Sequence, residues 1–359
     1  MQKITLTVLA ALAGLCATLL HAAPSIEKEE EQLDRKGTAF LLTRHTVNLG
    51  NGKINYRTLT HLHDNKPVQQ EWGDFRFVSE YWRAPNTPGS WSPVSFLTVV
   101  GRDGKTLLDR KAAEKIDAVE NGNMEMAVFT FRPENSVLDV RIAQFKDRPD
   151  WLFVKVVYPG QLHEVWASPV HGYGKPELES QFALKEGDGK KPCGKPDWIL
   201  TKTTGGNGVM NFNRYAYREF GTFIVIEKES LQQIRIHGDD IKFELKPKSD
   251  SFSFAVSCFK DRNPEEVRPE FFNVTVPEVE NFLKSVDWNP VPDRKTFSRL
   301  ADKIRKNISI LKRNGGHVAD FEKKMNELET DFAEVPSFEI LATLRELNTQ
   351  ITNKYLENL

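Results

Sequence analysis

The stretch NMEMAVFTFRPENSVLDVRIAQFKDRPDWLFVKVVY, residues 123–158, decides the fold class. Its apolar residues recur at every second position rather than every third or fourth. In NMEMAVFTFR, Met124, Met126, Val128 and Thr130 fall on one side, and Phe129 and Phe131 on the other. SVLDVRIAQF and DWLFVKVVY repeat the pattern. Successive side chains of a strand point to opposite faces, so a period of two marks strands. The β-branched and aromatic residues that fill these segments fit a pleated surface.

The same period runs outward in both directions. KINYRTLTHL puts Ile54, Tyr56, Thr58 and Thr60 on one face, and GTFIVIEK, LQQIRIHG and SFSFAVSCF continue the series. GNGK, RDGK, ENGN and HGDD separate the segments with tight-turn residues. Many short strands joined by hairpins predict a mainly β fold, a large antiparallel two-sheet β-sandwich over residues 37–262.

Beyond Cys258 the period lengthens. PEEVRPEFF and PEVENFLKSV predict short helical turns within a linker, residues 263–292. Three apolar stripes follow at three- and four-residue steps. They are Phe297 to Leu311, Val318 to Phe332, and Phe338 to Ile351. They predict a C-terminal α-helical hairpin or three-helix module over 293–359.

At the other end, Lys3, the apolar run ITLTVLAALAGLCATLL and the small residues HAAPS have the parts of a signal peptide, residues 1–22. The expected location is secreted or periplasmic, with no transmembrane span once the signal is removed. Residues 23–36, rich in SIEKEEEQLDRK, read as a charged N-terminal arm, exposed or loosely helical. The 49 basic and 50 acidic residues leave a formal net charge of -1. Without a field of one sign, nucleic acid is not an expected partner. Removal of the signal leaves Cys193 and Cys258, as one disulfide in an oxidising compartment or as two buried thiols.

Candidate chemistry concentrates between strands DWLFVKVVY and DWILTKT. That gap reads as a loop of nearly forty residues, and loops of this length are usually functional or disordered. It contains QLHEVWASPVHGYGKP. His163, Glu164 and His171 could act as acid, base or ligand, or could simply satisfy backbone groups. On a regular strand His163 and Glu164 would face opposite ways. Trp166 and Tyr173 offer aromatic surface, as do Trp82 and Trp91 on either side of RAPNTPGS. NFNRYAYREF places Tyr215 and Tyr217 on one strand face, followed by Arg218 and Glu219. Flat aromatic groups beside oriented polar groups suit sugar rings. A glycosidase needs two carboxylates, and no spacing selects a pair among Asp74, Glu80, Glu164 and Glu219. His61 and His63 share a strand face, a weak pattern for a metal. No metal or cofactor is predicted.

These readings lead to an exported carbohydrate-binding or carbohydrate-active protein. An enzymatic version would be of hydrolase, lyase or epimerase type. The alternative is a non-catalytic periplasmic or cell-surface interaction module, docking a protein partner through its C-terminal helices.

Overall fold

A computed structural model describes residues 24–49, 52–79, 97–108, 111–167, 180–183, 191–193, 199–202, 206–215, 218–237, 240–260, 264–290, 292 and 294–357; strand segments 69–79, 180–183, 191–193, 199–202, 211–215, 218–221, 236–237 and 258–260, with residue 240, enter through backbone pairing alone. The chain forms two compact units, one reaching Val286, the other comprising residues 119–123 and 287–359.

The strands form three antiparallel sheets rather than the expected two. One contains β1 (Ser25–Arg35), β2 (Thr38–Leu49), β3 (Gly52–His63) and β4 (Lys66–Ser79), in that order. The second contains β7 (Lys115–Asn121), β8 (Met124–Phe131), β9 (Leu138–Phe145), β10 (Arg148–Val157), β12 (Ser180–Ala183), β13 (Lys191–Cys193), β15 (Gly208–Tyr215), β16 (Arg218–Ile226) and β19 (Ser251–Lys260). Its order is β13-β12-β15-β16-β19-β10-β9-β8-β7. The third contains β5 (Leu97–Gly101), β6 (Thr106–Leu108), β11 (Leu162–Ala167), β14 (Ile199–Lys202), β17 (Leu231–His237) and β18 (Asp240–Leu245), ordered β14-β17-β18-β11-β5-β6.

All three sheets feed one apolar core. Tyr56 of the first packs on Phe129 and Phe131 of the second, with ring centroids 5.6 and 6.0 Å apart. Val99, Val165 and Phe243 of the third lie fully buried in the same core. The period-two pattern names each inward face; it does not say how many sheets share the interior.

Residues 25–35 are a strand, not the expected arm or loose helix. β1 pairs with β2 along its whole length, Ser25 opposite Asn48 and Arg35 opposite Thr38. It is exposed almost throughout, so it lacks the apolar alternation that betrays other strands. Charges on such an edge also discourage pairing with further chains. The turn into β2 uses Lys36 and Gly37 at φ of 56° and 81°. Asp64 and Asn65, at 50° and 59°, make a similar turn between β3 and β4. Paired positive φ values suit the twist of a two-residue hairpin.

The second face of the nine-stranded sheet is covered by α1 (Pro264–Glu270), a π-helical turn (Phe271–Thr275) and α2 (Val276–Ser285). Phe282 lies against Phe145 and Phe153 at 4.8 and 5.0 Å, and Phe271 stacks on Phe223 at 4.4 Å. Buried Glu280 accepts a 2.8 Å hydrogen bond from Asn207 and lies 3.1 Å from Lys284. That pairing holds the Lys284 ammonium above its usual range, chiefly through the hydrogen bond. Most of the stretch expected as linker is therefore part of the β unit.

The second unit carries α3 (Arg294–Arg313), α4 (Ala319–Glu334) and α5 (Phe338–Glu357). Their stripes meet in a common core, where Phe297 stacks on Phe332 at 4.0 Å. Asn314 and two glycines end α3. Gly315 takes φ of 80°, and the Gly316 amide donates to the Leu311 carbonyl at 3.0 Å.

The expected bridge between Cys193 and Cys258 is not formed, because strand order keeps the two apart. Cys193 is in β13 and Cys258 in β19, four places along one sheet. Four spacings of about 4.8 Å separate them, whereas bridged cysteines keep their Cα atoms within about 7 Å. The expected signal peptide lies outside the described residues. Among those described, no helix is long and apolar enough to cross a membrane.

Candidate functional site

The first part of the expected long loop is a central strand. β11, LHEVWA, lies between β18 and β5. Leu162, Val165 and Ala167 are fully buried, a spacing of three and then two. The register shifts between Leu162 and Glu164, which makes His163 the extra residue of a β-bulge. The bulge breaks the regular alternation on which the expectation of opposite faces for His163 and Glu164 rested, and both residues are partly buried.

Glu164 lies directly opposite Glu244 of β18, and Trp166 opposite Lys242. On the far side of β18, Arg235 of β17 pairs with Lys242, and Gln233 with Glu244. These alternate positions make the outward face of the sheet. The Trp166 indole N–H donates to the Glu164 carboxylate at 2.8 Å. The Lys242 ammonium stands 3.2 Å from the indole centroid, a cation–π contact. Arg235 donates to Glu244 and reaches Glu164 at 3.9 Å, and Gln233 also donates to Glu244. One guanidinium thus serves two facing carboxylates, each at least four-fifths buried.

His163 belongs to an adjoining group. An Arg102 nitrogen lies 3.0 Å from His163 Nδ1, and Arg102 also donates to the Leu245 carbonyl at 2.9 Å. A guanidinium only donates, so in this contact Nδ1 is the acceptor. The Thr98 hydroxyl and the Nε atoms of Arg102 and Arg235 are buried without a partner among the described residues. Thr98 lies opposite Trp166 on β5.

Of the residues singled out in the sequence, Glu164 and Trp166 come together here, with His163 in the adjoining group. His171, Tyr173, Trp82, Trp91 and Tyr217 lie outside the described residues. Tyr215, Arg218 and Glu219 lie at the adjoining ends of β15 and β16, where Tyr215 pairs with Arg218, in the nine-stranded sheet rather than beside β11. His61 contacts the Phe40 ring at 4.5 Å, and exposed His63 lies 3.7 Å from Asp64. Among the described residues, no three His, Cys, Asp or Glu side chains form a metal-sized group.

Sequence reasoning missed Arg102, Gln233, Arg235, Lys242 and Glu244. The alternation in LQQIRIHG and DIKFEL marks four of them as outward. What the sequence lacks is the pairing of β18 with β11, more than seventy residues away.

No protein-family profile matches the chain, and no curated protein does. Among solved structures it resembles a protein from the human microbiome assigned as a kojibiose phosphorylase, at 9% identity and TM-score 0.34, over 63% of this chain and 32% of that one. A heparan sulfate lyase, HepC from Pedobacter heparinus, matches at 10% identity and TM-score 0.30, over 68% and 38%. A galactose mutarotase related enzyme from Lactobacillus acidophilus matches at 11% and 0.28, over 66% and 99%. The chain spans about a third of the length of the first two.

Proposed function

We propose that this chain binds a carbohydrate on the outward face of the six-stranded sheet, around Trp166. The supporting observation is the arrangement of that indole. It is anchored by Glu164 through its N–H and by Lys242 over its ring, in a band that includes Arg235 and Glu244. Sugars need an apolar surface for ring carbons, with donors and acceptors beside it for hydroxyls. This face supplies both, and its mutual hydrogen bonds hold the groups in place before a ligand arrives.

Export remains part of the proposal, resting on the apolar run behind Lys3. Docking of a protein through the C-terminal stripes has less support, because those stripes are buried in the bundle's own core.

The test is the melting temperature of the full chain against a panel of neutral and acidic oligosaccharides. A ligand bound only to the folded state must raise it. A rise with one glycan class, lost in Trp166→Ala and in Glu164→Gln, supports the site. A panel that leaves the wild-type temperature unmoved overturns it. Chromatography of the retained glycan after incubation then separates an enzyme from a binding protein.

A further inference from the structure

The bundle's first helix is charged in a way that folding does not require. α3 carries eight lysines and arginines and one acid, Asp302. No acidic residue lies in its first turn, where Arg294 and Lys295 oppose the helix dipole. Like charges recur at three- and four-residue steps, which weakens a helix. The neighbouring α4 is rich in acids, yet it takes only part of this charge, with Arg305 bonded to Glu329 and Lys312 3.1 Å from Glu322.

Four of the remaining cations are aligned. Arg299, Lys303, Lys306 and Arg313 are exposed and have no ion-pair partner among the described residues. At about 100° per residue they fall within a stripe about 80° wide, over about 21 Å of helix. The buried seam, Phe297, Ala301, Ile304, Ile308 and Leu311, lies on the opposite side of the helix. The stripe therefore faces away from the bundle core.

We propose that this stripe binds a linear polyanionic polysaccharide carrying sulfate or carboxylate groups. The inference does not rest on the Trp166 site. A single row of cations beside acidic α4 suits a narrow chain and not a broad anionic surface such as a membrane. Single-stranded nucleic acid is bound with aromatic side chains on which bases stack, and the stripe has none.

The experiment measures binding of the full chain to heparin, to polygalacturonate and to neutral dextran at several salt concentrations. The comparison protein is the quadruple variant Arg299→Gln, Lys303→Gln, Lys306→Gln, Arg313→Gln. Circular dichroism and melting establish that it is folded, and Arg294→Gln, off the stripe, is the matched control. Four contacts that release counterions as on a single-stranded polyanion weaken binding about fiftyfold between about 50 and 200 mM salt. The expected result is binding to at least one acidic polysaccharide, a salt slope that collapses in the quadruple variant, and none to dextran. Equal binding by a folded quadruple variant overturns the proposal. So does absence of binding to either polyanion, or tighter binding to poly-dT or to anionic lipid vesicles at the same salt.

Discussion

Glu164 and Glu244 are direct cross-strand partners on β11 and β18, and Arg235 contacts both carboxylates. Two like charges facing each other across a sheet are destabilising. The guanidinium between them turns the repulsion into an ion-paired group.

Removing that guanidinium should therefore cost more than a surface ion pair would. Arg235→Met is expected to destabilise the β unit by about 1–3 kcal/mol, the range for leaving buried polar groups unsatisfied. Adding Glu244→Gln should recover part of the loss, because the two sites share one network. Urea unfolding of the two single variants and the double variant checks this; simple additivity would argue that the three groups act independently.

Thr98 gives a contrasting case. Its hydroxyl is buried without a partner among the described residues, opposite Trp166. Thr98→Val replaces it with a group of the same shape and removes the polar cost, so the melting temperature should hold or rise by an amount corresponding to about 1 kcal/mol. A clear fall would mean that the hydroxyl has a stabilising role.

His45 should make stability depend on pH. Burial, and then the nearby Lys28, hold its imidazole below the ordinary 6.5, with Glu30 acting in the opposite sense. As pH falls, the unfolded chain takes up this proton first. The His45 contribution is thus complete above about 6.5 and is lost as pH falls through the lower folded value. Unfolding free energies measured from neutral to mildly acidic pH should fall less steeply in His45→Gln. Parallel curves for the two proteins would remove His45 as a cause.

Gly208 tests the seat of the helices on the nine-stranded sheet. A Cβ there would lie 2.6 Å from Val276 Cγ2 and 3.2 Å from Phe271 Cε1. Gly208→Ala should cost about 1–3 kcal/mol through overpacking, with part of the loss regained when Val276→Ala is added. Gly37→Ala has open space around it and a φ of 81°, so its cost of about 1–2 kcal/mol comes from backbone strain alone. No neighbouring truncation should relieve it.

Much of the architecture was legible in the chain. The alternation in residues 123–158 announced β8, β9 and β10, and the three stripes after Asp293 announced the helices of the bundle. In these elements one face is buried, so period and burial coincide. The sequence missed β1, which buries neither face, and β11, whose bulge at His163 breaks the period of two inside a central strand. It also assigned PEVENFLKSV to a linker, although Phe282 and Leu283 pack it into the β unit.

By itself the sequence determined a mainly β chain with a helical C-terminal module, and it singled out Glu164, His163 and Trp166. Periodicity is local, and a few neighbouring residues suffice to express it. Only the tertiary structure decided that there are three sheets, that Cys193 and Cys258 are held far apart, and that Arg235, Lys242 and Glu244 join Trp166. Those relationships depend on which distant strands pair and in what register, and the strands' own alternation is compatible with many pairings.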